Sequence, residues 1–171
     1  MANDSDYTPS TTEYQDTEQG YHTAELLVTK PNLLTGNDAP WPGNSYIISY
    51  QNTSQVLTFV NNNAVLTEFE GKPTQRWSCH SKNGWFGFAN DPGESTRWLG
   101  FTKLDDTDAP LRCASFDLNG WEMFCVAKRP DDGFVILARI NDKLKPVGAF
   151  NNGTLSAQSN WDHWWSFTKA T

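Results

Sequence analysis

No stretch of the 171-residue chain approaches the ~18 consecutive apolar residues that a membrane-spanning helix requires. The first twenty residues, MANDSDYTPSTTEYQDTEQG, hold neither a basic cluster nor an apolar block. That pattern predicts no secretory signal and a cytoplasmic protein. Cysteine is scarce: Cys79, Cys113 and Cys125 cannot all pair, and no Cys-x-x-Cys occurs. Reduced thiols packed as small apolar side chains are the expectation. Three scattered cysteines and three scattered histidines show no zinc-ligand spacing, so no metal is expected. The cluster Asp105, Asp106 and Asp108 lacks the glycine and distal glutamate of a calcium loop. Phosphate loops, nucleophile elbows and HExxH are missing as well, and no cofactor is expected.

Positive charge is also short. The formal net charge is −7, and residues 1–45 hold seven acids against Lys30 alone. The remaining 13 acids and 12 bases nearly cancel. No basic stripe is present to displace counterions from a polyphosphate, which argues against nucleic acid as a partner and against an anionic membrane surface.

Aromatic residues are plentiful instead: eight Trp, five Tyr and ten Phe. A core is therefore within reach of this length. Residues 1–45 read as an acidic extension ending in the turn-rich NDAPWPGNS, with Trp41 expected to pin it to the following domain through hydrophobic bulk. Within it, EQGYHTAELLV fits a short helix or an added edge strand. From Tyr46 onward, short β-branched or aromatic runs alternate with Asn, Gly, Asp and Pro, the pattern of strands and turns.

Those strands repeat. YIISY, VLTF, AVLTEF and TQRWSC form a first unit (about 46–84). WFGF, WLGF, LRCASF and WEMFCV form a second (about 85–133). FVILAR, KLKPV, GTLSA and WWSFTK form a third (about 134–171). Three four-stranded units of this size predict an all-β fold, a β-trefoil: a six-stranded barrel capped by three hairpins. A β-sandwich has no reason to repeat at this period, and a propeller needs at least four blades. Val65 to Trp77 spans 12 residues, Leu111 to Phe124 spans 13, and Leu155 to Phe167 spans 12. That register equates Trp77, Phe124 and Phe167 as core rings. It also groups Thr74 with Trp121 and Trp164, and Gln75 with Glu122 and Trp165.

Gln75-Arg76-Trp77 resembles the Gln-x-Trp motif of ricin-B-type trefoils, and Trp98-Leu99-Gly100-Phe101 is similar to a strand of fascin-like trefoils. The whole pattern over residues 45–171 resembles small fungal fascin-like and ricin-B-like trefoil proteins. Such a resemblance implies the fold; trefoils host lectins, protease inhibitors, actin cross-linkers and growth factors. Ricin-type sugar sites place an aspartate after the second-strand leucine, where this register offers Thr58, Gly100 and Lys145. Fascin-like actin bundling relies on several tandem trefoils, and residues 46–171 supply one.

NWDHWWSF (160–167) poses the functional question. In this register no shared side chain is demanded at Asp162 and His163, which leaves them in a turn free of scaffold duty. Trp161 beside them could stack on a sugar ring or a flat apolar ligand. The leading expectation is a non-catalytic, lectin-like module that binds a glycan through Trp161, Asp162, His163, Trp121 and Trp164. A second is a cofactor-free cyclase or isomerase in which Asp162, His163 or Glu122 moves a proton inside one aromatic-walled pocket. A third is a protein-interaction trefoil, a protease inhibitor or an actin binder.

Overall fold

The computed structural model describes residues 36–91, 96–102 and 109–171. EQGYHTAELLV and the Asp105–Asp108 cluster lie outside the described residues. Twelve strands follow in chain order. They are β1 (Ser45–Tyr50), β2 (Gln55–Val60), β3 (Asn63–Glu68), β4 (Trp77–Lys82), β5 (Trp85–Asn90) and β6 (Arg97–Phe101), then β7 (Leu111–Ser115), β8 (Phe124–Lys128), β9 (Phe134–Ile140), β10 (Lys143–Ala149), β11 (Leu155–Ala157) and β12 (Trp165–Lys169). A 3-10 turn at Pro73–Gln75 precedes β4.

The pairing closes a ring. β1 pairs with β4, β4 with β5, β5 with β8, β8 with β9, β9 with β12, and β12 returns to β1, all antiparallel. The hairpins β2–β3, β6–β7 and β10–β11 lie outside that ring and extend from it, β2 pairing with β1, β6 with β5 and β10 with β9. This is the β-trefoil expected from the repeats. Closure leaves the six barrel strands without a free edge, which disposes of the aggregation hazard of an open sheet.

The pairing also fixes which residues correspond. Trp77 lies opposite Tyr46, Phe124 opposite Phe86, and Trp165 opposite Phe134. Trp77, Phe124 and Trp165 each open the fourth strand of their repeat. The indoles confirm the match: Trp77 Nε1 donates to the carbonyl of Leu57 (2.8 Å), and Trp165 Nε1 to that of Val147 (2.9 Å). The equivalent set is therefore Trp77, Phe124 and Trp165, and the register read from the sequence is two residues out in the third repeat. Phe167 is buried, but it corresponds to Cys79 and Val126. Period two explains the slip: Trp165 and Phe167 point to the same side of β12, and both are fully buried.

Phe167 still belongs to the centre. Its ring packs against Phe88 (5.8 Å between centroids), Phe134 (5.5 Å) and Tyr46 (5.8 Å), while Phe124 meets Phe88 and Phe101. All three cysteines are free. Cys79 and Cys113 are buried in this core, and burial pushes the Cys79 thiol up to about 12.

Residues 36–44 run along the barrel, held by backbone rather than by Trp41. Asp38 N donates to the carbonyl of Phe167, the Asp38 carboxylate accepts from Lys169 N, and Gly43 N donates to the carbonyl of Cys79. Pro40 is buried, whereas the Trp41 side chain is 70% exposed, so it does not pin the extension as expected. Its amide instead donates to the Tyr46 hydroxyl (2.9 Å).

Phe124 tests the core directly. Phe124→Ala should lower unfolding free energy in a denaturant melt by about 3–5 kcal/mol, the usual loss for truncating a buried ring. A loss below about 1 kcal/mol would contradict a central position.

Candidate ligand-binding site

The corrected register gives the third-to-fourth-strand connections a common anchor two residues before the fourth strand: Gln75, Glu122 and His163. Gln75 is 1% exposed and uses its whole amide. Its Nε2 donates to the Glu68 carbonyl (2.7 Å) and Thr67 Oγ1 (3.1 Å); its Oε1 accepts from the amides of Glu70 (2.8 Å) and Lys72 (3.4 Å). In the second repeat Glu122 is likewise buried and accepts from Asn119 N (3.3 Å). Burial pushes its carboxyl above the ordinary range, opposed by the hydrogen bonds from Asn119 and Ser115.

His163 fills the place in the third repeat. Its Nδ1 accepts the amide of Ala149 (3.0 Å) and lies 3.1 Å from the Tyr50 hydroxyl. Accepting from an amide requires a bare Nδ1, so the neutral ring carries its proton on Nε2. Burial lowers its pKa below the ordinary value near 6.5, with Asp162 pulling the other way. His163 is thus part of the scaffold, which the sequence register had left free of such duty.

The facing hairpin residue adapts to each anchor. Thr58 Oγ1 accepts from Gln75 Nε2 (3.4 Å), and the corresponding positions are Gly100 and Gly148. A Cβ on Gly100 would stand 2.8 Å from Glu122 Cγ, and one on Gly148 would overlap the His163 ring. Gly148, not Lys145, is therefore the third position after the second-strand apolar residue, and none of the three is an aspartate. Lys145 is a buried residue further down β10.

On this base the third repeat displays rings. Trp161 stacks on His163, with centroids 4.7 Å apart and planes 15° apart, and Phe150 meets Trp161 edge-on at 4.9 Å. Asp162 turns outward, its carboxylate 3.4 Å from Arg129, whose guanidinium also lies over Trp164 at 5.8 Å. Trp161, Asp162, His163 and Trp164 are thus brought together, with Arg129, Phe150 and Tyr50 as neighbours the sequence did not single out.

Trp121 is not among them. It is 45% exposed on the second repeat, at the position that Asp162 occupies in the third. The same connection of the second repeat carries another exposed ring: Phe116 is 64% exposed, with the Arg97 guanidinium 3.8 Å above it. Trp98 Nε1 donates to the Phe116 carbonyl (3.2 Å) and supports that turn.

The three acid–base candidates do not converge. Asp162 engages Arg129, His163 engages Ala149 and Tyr50, and Glu122 is buried in another repeat. Two open clefts, of about 380 and 440 Å³, are lined by none of them.

Comparison with known proteins supports the same architecture. No family model and no curated protein sequence matches the chain. Among solved structures it is similar to a ricin B-like lectin of Macrolepiota procera in complex with lactose, at TM-score 0.63 and 11% identity over 78% of this chain and all of that one. It is similar to the designed threefold-symmetric protein ThreeFoil, at TM-score 0.62 and 13% identity over 74% and 99%. It also resembles SeviL bound to asialo-GM1 saccharide, at TM-score 0.56 and 12% identity over 75% and 98%. At these identities the likeness establishes the β-trefoil fold.

Two anchors titrate with opposite sign. His163 has a lowered folded pKa, so its contribution is whole above about pH 6.5 and is lost as pH falls through the folded value. Glu122 has a raised one, so its ionisation destabilises increasingly as pH rises from the ordinary carboxylate range through the folded value. Glu122→Gln should therefore raise the melting temperature at neutral pH and change it little at about pH 4, near the unperturbed carboxylate value. His163→Gln should flatten the decline of melting temperature below about pH 6.5, the unperturbed imidazole value. Unchanged pH profiles in thermal melts of both variants would contradict these assignments.

Proposed function

We propose that the protein is a non-catalytic, lectin-like module that binds a glycan at the third-repeat surface. The observation that carries the reading is Trp161: an indole stacked on a histidine that the scaffold itself holds by two polar contacts. An aromatic face fixed in this way offers a stacking platform with little side-chain entropy to lose on binding. Asp162 and Arg129 stand beside it with charged hydrogen-bonding groups at the same edge, suited to sugar hydroxyls. Ligands named for the structurally similar lectins, lactose and the asialo-GM1 saccharide, support testing galactose-bearing glycans first. The Phe116 and Trp121 surface of the second repeat is a further candidate contact area in the same molecule.

The cyclase or isomerase reading has no observation in its favour, because Asp162, His163 and Glu122 serve separate neighbours. Nothing in the described loops favours a protease inhibitor or an actin binder.

Titration with lactose and with the asialo-GM1 oligosaccharide, by calorimetry or NMR, tests the proposal. Trp161→Ala should weaken the observed binding roughly twofold to twelvefold, the equivalent of about 0.5–1.5 kcal/mol for one stacked ring. Its melting temperature should stay close to that of the parent, because the ring is partly exposed and the Nδ1 contacts of His163 are retained. Equal binding by parent and variant would remove the third-repeat platform from the site.

A further inference from the structure

The first repeat displays neither an indole nor an exposed phenyl ring at its third-to-fourth-strand connection. It displays charge. A cleft of about 380 Å³ opens between that connection (Phe69, Lys72, Pro73 and Arg76) and the end of β12, Thr168 and Lys169, with Ile47 at its base. Its volume falls within the ~300–1,000 Å³ typical of small-ligand sites.

Three of the chain's 13 basic residues line this one cleft, although the chain as a whole carries −7. Lys72 is paired with Glu70. Arg76 and Lys169 make no salt bridge among the described residues, and the Asp38 carboxylate accepts the backbone amide of Lys169. Two cations on the rim of an apolar-floored cleft make a place where a negative group gains charge-assisted hydrogen bonds.

The walls are also rigid, which separates this cleft from a casual meeting of surface lysines. The Gln75 amide fixes Glu70 and Lys72 by their backbones. Asn90 Nδ2, itself fully buried, donates to the carbonyls of Pro73 (3.1 Å) and Arg76 (2.8 Å), clamping the connection from below. Lys169 is tied at its amide to Asp38. Binding here would order side-chain tips and leave the backbone as it is.

We infer that this cleft is a second binding site, selective for an acidic saccharide residue, one bearing a carboxylate or a sulfate. The acid group lies between the Arg76 guanidinium and the Lys169 ammonium, and the sugar ring rests on the apolar wall of Phe69 and Pro73. The saccharide part of this inference rests on the glycan-binding reading; the anion part does not. The site is separate from Trp161.

The test titrates isotope-labelled full-length protein with a glucuronate-containing disaccharide, a sulfated disaccharide, the carboxyl-reduced disaccharide and inorganic sulfate, followed by NMR. Expected are shifts at Lys72, Arg76 and Lys169 with either acidic disaccharide, and affinity that falls as salt is raised. Arg76→Ala and Lys169→Ala should each weaken binding roughly threefold to tenfold, between an exposed ion pair and a charge-assisted hydrogen bond. Trp161→Ala should leave it unchanged. Equal binding of the carboxyl-reduced disaccharide, or full affinity in the Arg76→Ala/Lys169→Ala double variant, would overturn the inference. Sulfate binding as tightly as the sulfated disaccharide would overturn its saccharide part. Lactose binding that depends on Trp161 bears on the other site alone, so the two readings fail separately.

Discussion

A closed six-stranded barrel satisfies its own backbone, but each hairpin is joined to it by connections whose amides and carbonyls lie outside any ladder. Those groups need partners wherever the connection is buried. In this protein the partner for the third-to-fourth-strand connection is one side chain two residues before the fourth strand. Gln75 does this with three backbone hydrogen bonds in the first repeat. Glu122 does it as an acceptor, whereas His163, at the same position, uses Nδ1 to tie the connection to the Ala149 amide at the end of β10. The ring that opens the next strand, Trp77, Phe124 or Trp165, then plugs the barrel in each repeat. Anchor and plug together set where each surface connection starts and how far it can move.

The three anchors are chemically unequal, and their surroundings have changed with them. Threonine faces the amide; glycine faces the carboxylate and the imidazole. Gly148 has to be a glycine while His163 is a histidine, because a methyl group would occupy the imidazole's place. The pair is thus coupled, and neither residue can be exchanged alone without either overlap or a void. An amide does not titrate, whereas each of the other two anchors does. The second and third repeats accept a pH-dependent stability that the first avoids.

Much of the fold was legible because strands announce themselves through short β-branched and aromatic runs, and because their order repeats. All twelve segments singled out from the sequence correspond to strands or to their immediate approach. The third-repeat register was not legible for a definite reason: Trp165 and Phe167 are two apart, share a face, and are both suitable plugs. Only the pairing of Trp165 with Phe134 and its bond to the Val147 carbonyl separates them. From that slip followed the view of His163 as a free loop residue. The arrangement of the candidate residues was legible in part. Trp161, Asp162 and Trp164 sit together on the third-repeat connection, but Arg129, just after β8, and Arg97, on β6, reach rings far along the chain from themselves, and no local pattern marks such contacts. Trp41 misled because size suggested anchoring, while the chain uses Pro40 and backbone bonds to lie against the barrel.

What the connections display is free to differ because the anchors hold them from beneath. An anchor that binds backbone amides places no demand on the outward side chains of the same connection. The first repeat therefore presents Lys72 and Arg76, the second Phe116 and Trp121, and the third Trp161 and Asp162, all on one structural plan. Internal symmetry here concerns burial and hydrogen bonding, and it stops at the surface. Three equivalent frames thus carry three unlike surfaces. His163 is the exception to this separation, since its ring is both the anchor below and the stacking partner of Trp161 above. Only in the third repeat does the state of the scaffold bear directly on the ring that faces solvent.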